Sequence, residues 1–336
     1  MATQEAKNSH ELGGSPLPLV SVILPILNEE NYLKDSVLSI LSQDYKGEFQ
    51  VVLAVGPSRD KTREIADQLH QEDPRVLVVD NPSGRTAAGL NAALKVSEGS
   101  VIVRVDGHSQ IPRSYISDAV ETLLSTGAVN VGGVMAAEGV TTFERAVAGA
   151  MRSPLGVGAS RFHTGGQAGE VDTVYLGVFR REALLAIGGF DERFTRAQDW
   201  ELNFRLRSNG GVIFFDPRLH VRYRPRPTLK ALAKQYFEYG RWRRVVSRRH
   251  AGTINYRYLA PPFALIAFLA SIALGVIHPL LFIPAVIYLL FIAIASIVIA
   301  STLLQYIYLL AVIPTMHFSW GAGFITSPKN LVPADE

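Results

Sequence analysis

No cysteine occurs in the 336 residues, which excludes disulfide bridges and thiolate metal sites. Charge is missing from one long stretch. Between Leu259 and Ile325 there is no Asp, Glu, Lys or Arg. A soluble core does not run that far without a charged residue. A membrane helix needs about 20 apolar residues, so the stretch has room for three. No Gly-x-Gly-x-x-Gly follows the first apolar run, and Gly156-Val157-Gly158 comes late, in a glycine-rich loop. A Walker A lysine motif is also lacking, so a dinucleotide dehydrogenase and a P-loop enzyme are both disfavoured. There is no internal repeat and no heptad pattern. Residues 1–18 have no apolar h-region, and a flexible tail is expected there rather than a cleavable signal.

What is present falls into two unlike parts. Up to about residue 227, short apolar runs alternate with helical patterns. Leu19–Pro25, Gln50–Val55, Val76–Val79 and Val101–Val105 read as strands. Tyr32–Leu41, Thr62–Leu69 and Thr86–Lys95 read as the helices between them. That alternation predicts a parallel sheet covered on both faces, with ligands beyond the carboxyl ends of the strands. Later elements are expected at Tyr115–Leu124, Ala128–Met135, Val174–Phe179, Glu182–Ile187, Asp199–Ser208 and Val212–Asp216, with a mobile loop at 156–169.

Pro225-Arg226-Pro227 closes that part. Leu229–Arg249, which Thr228 can cap, carries Tyr236, Phe237, Tyr239 and Trp242 among many Lys and Arg. A basic aromatic helix beside a membrane segment reads as interfacial, and its cations favour the cytoplasmic side. The plain alternative is a helix that closes the domain. Leu259–Ile277, Leu280–Ala300 and Leu303–Ile325 then read as membrane segments. The third holds Pro314, His317 and Trp320, and an interfacial or re-entrant path is open to it. The expected division is a tail at 1–18, a catalytic domain at 19–227, a basic interfacial helix at 228–257, two to three membrane helices at 258–326 and a tail at 327–336.

Asp106-Gly107-His108, at the end of the fourth apolar run, places an acid and an imidazole where a strand breaks. Pro25-Ile-Leu-Asn28-Glu29-Glu30 ends the first run, and Gln198-Asp199-Trp200-Glu201 comes downstream. In this order, over roughly residues 19–250, these motifs resemble glycosyltransferase family 2, whose metal motif is Asp-x-Asp or a variant of it. Gly56-Pro57-Ser58-Arg59-Asp60-Lys61-Thr62 resembles the family's Asp-Gly-x-Ser-x-Asp-x-Thr turn, with Val55 in place of the leading Asp. Met316–Phe324 and the Asp-x-His motif are most similar to bacterial succinoglycan-type exopolysaccharide glucosyltransferases.

The resemblance implies a GT-A fold of α/β class, Rossmann-like, followed by transmembrane helices. It implies an inverting transfer from a nucleoside-diphosphate sugar to a polyprenyl-linked glycan. By the same resemblance Pro25, Asn28, Glu29, Gly56, Ser58, Asp60, Arg85 and Asp106 bind the nucleotide sugar. Asp106 and His108, with His220 as a further candidate, hold Mg²⁺ or Mn²⁺. Asp199 is the base. Gly189, Phe190 and Asp191, with Trp200, Arg241 and Trp242, face the acceptor. The expected partners are the nucleotide sugar, a lipid-linked glycan or polyprenyl phosphate, and membrane lipids, and no nucleic acid. The expected place is the cell membrane, multi-pass, with the catalytic domain in the cytoplasm.

Simpler readings stand beside these. Asn28 with Glu29 and Glu30, and Asp199 with Glu201, also suit helix starts. Asp60 suits a cap for the helix at Thr62. Arg85 is less easily explained away, because a cation at a helix start is electrostatically disfavoured. A polyprenyl-phosphate glycosyltransferase is the nearest rival. A non-catalytic sugar-nucleotide-binding subunit is a second, to which Val55, His108 and Gln198 give weight. A transporter is disfavoured, since the apolar run has no ionisable residues beyond two histidines.

Overall fold

In a computed structural model, which describes residues 16–254 and 256–332, the alternating runs form the expected strands and helices. In chain order the first elements are β1 (Val20–Ile26), α1 (Leu33–Leu41), β2 (Phe49–Val55), α2 (Thr62–Glu72), β3 (Val76–Asp80), α3 (Thr86–Val96), β4 (Val101–Arg104) and α4 (Tyr115–Thr126). Next come β5 (Asn130–Ala137), α5 (Thr142–Arg152), the short turns α6 (Pro154–Val157) and α7 (Arg161–Thr164), β6 (Gly169–Glu170) and β7 (Tyr175–Arg180). Then follow α8 (Arg181–Ala186), α9 (Gln198–Ser208), β8 (Ile213–Tyr223) and α10 (Leu229–Arg249). The last are α11 (Tyr256–Gly275), a 3-10 turn at Pro279–Phe282, α12 (Ile283–Ile299) and α13 (Leu303–Thr326).

Among the described residues the sheet has eight strands in the order β3-β2-β1-β4-β7-β5-β8-β6. The first four are parallel, as expected. From there it turns mixed: β7 runs antiparallel to β4 and β5, and β6 antiparallel to β8. β1 and β2 are buried on both faces, which explains why they read as unbroken apolar runs. Val20, Val22, Leu24 and Ile26 pack with Leu33, Val37 and Ile40 of α1 and with Ile116 and Val120 of α4. Ile23 and Val52 face the other way, onto Leu90 and Leu94 of α3 and Leu202 and Leu206 of α9.

Three outcomes differ from the expected elements. α5 was not anticipated. Its start is fixed by a reciprocal cap in which Thr141 accepts from the Glu144 backbone and Glu144 accepts from Thr141. The glycine-rich loop at 156–169 starts within the one-turn helix α6 and contains a second, α7. β8 continues past Asp216 to Tyr223, pairing with β5 through a register shift between Gly132 and Val134. By contrast, α10 has the expected bounds, and Thr228 Oγ1 accepts from Ala231 N at 3.2 Å. Among the described residues, the C-terminal part has three helices long and apolar enough to cross a membrane. A third core cluster joins the two parts, drawing on α5, α10, α12 and α13 together.

Candidate active site

The carboxyl ends of β1, β2, β3 and β4 lie side by side, and their turns are laced together. Asn28 N donates to Ser58 Oγ at 3.0 Å, and Arg59 N donates back to Asn28 Oδ1 at 2.8 Å. Glu30 N donates to Asp60 Oδ2 and Lys61 N to Glu30 Oε2. Asp60 Oδ1 accepts from Thr62 N and from its hydroxyl, so the carboxylate both starts α2 and braces the first turn. Its pKa is lowered, first by the Thr62 hydroxyl. Asn28 adopts φ 57° and α1 begins only at Leu33, so Asn28 is a brace between loops and not a cap. Gly56 allows the turns to meet: a Cβ there would stand 3.1 Å from the Gly84 Cα. Arg85, exposed, opens α3 beside them. Pro25 lies half-buried on β1.

The β4 turn lies against the first. A Cβ on Gly107 would stand 2.7 Å from Ile26 Cγ2 and 3.2 Å from Glu29 Cγ. This closeness brings His108 Nδ1 to 2.8 Å from Glu29 Oε1. A carboxylate only accepts, so Nδ1 carries the proton and Nε2 is turned away from Glu29. The Glu29 hydrogen bond raises the imidazole pKa, against the opposing effect of burial.

Arg104, which did not figure among the expected site residues, organises the centre. Its side chain is 4 % exposed and donates to Asp106 Oδ1 at 3.1 Å and to Asp199 Oδ1. One buried guanidinium thus ties the β4 carboxylate to the first turn of α9. Burial raises the Asp199 pKa, Arg104 opposes that rise, and Asp106 adds to it. The backbone is strained around this point. Ala197, just before α9, has φ 58°, and Leu176, beside Tyr175, has φ 43°. Non-glycine residues in this region cost of order 1–3 kcal/mol, and such strain gathers at functional sites.

α9 is held from behind. Arg205 donates to both oxygens of Glu201 at 2.7 Å and to the carbonyls of Ile187 and Gly189. Asn91 reads the backbone of Phe190 from α3, with Nδ2 donating to O at 2.8 Å and Oδ1 accepting from N at 2.9 Å. The sole signal for Arg104 in the sequence is a cation inside the run Val101–Val105. Glu201 figures in the sequence only as an acid at a helix start, and Arg205 carries no signal.

Several expected contacts are not made. Phe190, expected to face the acceptor, is 2 % exposed and packs edge-on to Phe179 in the core. Trp242 is 4 % exposed and lies against Phe194. Large aromatic rings at these positions serve the interior instead of an acceptor. Arg241 pairs with Glu238 one turn away, and Asp191 is engaged by Arg193 at 2.7 Å. Gly189, at φ 73°, packs beside Asn91. Trp200 lies half-buried with the Arg243 guanidinium 3.8 Å from its ring. His220 is exposed on β8 opposite Val134. Among the described residues no three His, Asp or Glu side chains gather as a metal cluster, so the expected set of Asp106, His108 and His220 is not assembled.

Comparison with known proteins bears on the family and the fold. The profile described as "Glycosyl transferase family 2" matches residues 21–188. The succinoglycan biosynthesis protein ExoA of Rhizobium meliloti is 36% identical over 256 residues, covering 75% of this chain and 78% of that one. The dolichyl N-acetyl-alpha-D-glucosaminyl phosphate 3-beta-D-2,3-diacetamido-2,3-dideoxy-beta-D-glucuronosyltransferase of Methanococcus voltae is 23% identical, over 77% of this chain and 82% of that one. Among solved structures, the mannosyltransferase PcManGT of Pyrobaculum calidifontis, in complex with GDP-Man and Mn²⁺, superposes with a TM-score of 0.63. It is 20% identical and the match covers 92% of this chain and 86% of that one.

Proposed function

The chain belongs to glycosyltransferase family 2, and from that premise we propose an inverting transfer of a sugar from a nucleoside diphosphate to a membrane-associated, polyprenyl-linked glycan. It is a GT-A-fold enzyme acting on nucleotide sugars in polysaccharide or glycolipid synthesis. The finer reading is supported by one observation above all: Arg104 holds Asp106 and Asp199 in one site at the strand ends. Asp106 belongs to the donor side. The braced turns of Asn28, Glu29, Gly56, Ser58 and Asp60, with Arg85, form the wall on which a nucleoside would lie. Asp199 belongs to the acceptor side.

In the step itself, an acceptor hydroxyl attacks the anomeric carbon from the face opposite the diphosphate. Asp199 takes the hydroxyl proton as the new C–O bond forms. The bond from the anomeric carbon to the phosphate oxygen breaks, the nucleoside diphosphate departs with the electron pair, and the configuration inverts. Asp199 must be ionised to accept the proton. Arg104 favours that state in a half-buried setting that otherwise opposes it.

Mg²⁺ or Mn²⁺ fits here as an ion shared with the substrate. The protein offers an Asp106 carboxylate and a His108 Nε2, and an ion held by diphosphate oxygens takes only one or two protein ligands. Glu29 receives the other ring N–H of His108, as carboxylates do behind metal-binding imidazoles. Bound there, the ion would offset charge on the departing diphosphate. The cations along α10, next to α11, support a cytoplasmic placing of the catalytic part.

The test is transfer from a panel of labelled nucleotide sugars to a lipid extract, using membrane-embedded protein. Activity lost in EDTA and restored by Mn²⁺ or Mg²⁺ is expected. Asp199→Asn is expected to keep donor affinity and to lose about a hundredfold to ten-thousandfold in rate. Unchanged transfer by that variant would remove Asp199 as base and favour a phosphate acceptor, which needs no deprotonation. Donor binding by wild type with no transfer to any extract would favour a non-catalytic subunit.

A further inference from the structure

Among the described residues three helices are long and apolar enough to span a bilayer, yet they differ in what they touch. α13 has the lowest mean hydropathy of the three, 1.3 against 1.8 and 2.8, and meets the catalytic part along its whole length. Near its start, Tyr308 packs edge-on to Phe143 of α5 at 5.5 Å. Leu309, Val312, Ile313 and Met316 then share a core with Val147 and Met151 of α5 and with Leu232 and Tyr236 of α10. Further on, two glycines let the backbones of α10 and α13 touch. A Cβ on Gly240 would stand 2.0 Å from Trp320 O, and one on Gly323 would stand 2.0 Å from Phe237 O. Past its end, Ser327 Oγ donates to Arg241 O at 2.9 Å, and Arg248 donates to Pro328 O and Ser327 O. Leu331 and Val332 reach Phe194 and Trp242.

An upright helix of 24 residues is about 36 Å long and would put its ends on opposite sides of a hydrocarbon layer about 30 Å thick. Both ends of α13 instead rest on elements rich in cations, α5 with Arg145 and Arg152 and α10 with Arg241, Arg244 and Arg248. Those charges do not enter hydrocarbon without large cost. α11 and α12 behave otherwise. α11 begins beside α13, where Tyr258 stacks on Trp320. α12 ends where Ile299 lies 2.8 Å from the Cβ position of Gly149 on α5. Between them the turn leaves Val276 82% and Ile277 78% exposed. The pair therefore leaves the catalytic part and returns to it.

We propose that the chain crosses the bilayer twice, through α11 and α12, and that α13 lies flat in the membrane surface. Residues 327–332 then stay on the catalytic side. The stripe of Leu303, Ile307 and Leu310, more than a third exposed and turned away from the buried Leu309 and Val312, is the face that rests on lipid. It continues the exposed apolar surface of α11 and α12. The proposal rests on the membrane placing above but not on the chemistry.

The absence of cysteine makes the test clean. Three single variants at exposed positions, Gln71→Cys in α2, Val276→Cys in the hairpin turn and Lys329→Cys after α13, are reacted with a membrane-impermeant maleimide in sealed vesicles of uniform orientation. Each is read before and after detergent. Lys329→Cys is expected to share the sidedness of Gln71→Cys, with Val276→Cys opposite. Lys329→Cys reacting with the sidedness of Val276→Cys would mean that α13 crosses, and would overturn the proposal while leaving the membrane placing intact. All three reacting from one side would overturn both, since no helix would cross.

Discussion

Arg104 is the residue on which the two carboxylates of the site depend. Asp106 and Asp199 both touch it, and without a cation between them the Asp106 charge would raise the Asp199 pKa unopposed. Burial already pushes Asp199 upward and Arg104 opposes the push. Arg104→Gln should therefore raise the Asp199 pKa further. A base works only when ionised, so the acid limb of the kcat/KM profile should move to higher pH, with activity recovered in part at alkaline pH. An acid limb in the same place as in wild type would separate Arg104 from the base. The strand-end positions could be read from residue types alone, because Asn28, Gly56, Asp60, Asp106 and Asp199 all follow short apolar runs or open helices. What those side chains bind could not. Asn28 and Asp60 spend their oxygens on neighbouring backbone, and that depends on loops some 30 residues apart meeting in space. Phe190 and Trp242 misled for a related reason. An aromatic residue in a loop or beside arginines looks like a contact surface until the interior it fills is known.

At the scale of elements, the parallel half of the sheet was legible because strands buried on both faces leave continuous apolar runs. α5 was not legible. It is rich in alanine, carries three charged residues, and its buried face is covered by α13, more than 150 positions away in the sequence. Its start depends on Glu144, whose side chain is 1 % exposed. Glu144 accepts from Val140 N and Thr141 N and pairs with Arg224 at 3.0 Å. Burial alone would raise the Glu144 pKa. The Thr141 backbone and Arg224 outweigh it and the pKa is lowered. A carboxylate depressed in the folded state contributes stability that is present above its unfolded value and is lost as pH falls through its folded one. Glu144→Ala should cost about 1–3 kcal/mol at neutral pH, from the lost cap and the backbone donors left unpaired. The difference from wild type should shrink in acid. Thermal melts at neutral pH and below the carboxylate range check both parts, and a pH-independent difference would assign the loss to packing.

For the whole molecule, charge patterning divides the chain by composition but conceals a shared interior. The boundary near residue 257 follows the last arginine, yet the third core cluster ignores it. Ala146, Val147, Met151, Leu232 and Tyr236 lie before the boundary, and Ile292, Leu309, Val312, Ile313 and Met316 lie after it. No periodicity within either part reports such a contact, because each face is apolar for the sake of the other. A catalytic fragment ending at Gly252 would keep the strand-end site and lose the cover on α5 and α10. Burying a large apolar side chain is worth about 1.5–3 kcal/mol. Uncovering Val147, Met151, Leu232 and Tyr236 would thus remove a sum comparable to the roughly 5–15 kcal/mol that keeps a domain folded. The fragment is expected to aggregate in detergent-free buffer, to bind a hydrophobic dye, and to melt well below the full chain when both are held in the same mild detergent. A monodisperse fragment with the melting temperature of the full chain would show instead that the catalytic part closes its own core and that α13 only rests upon it.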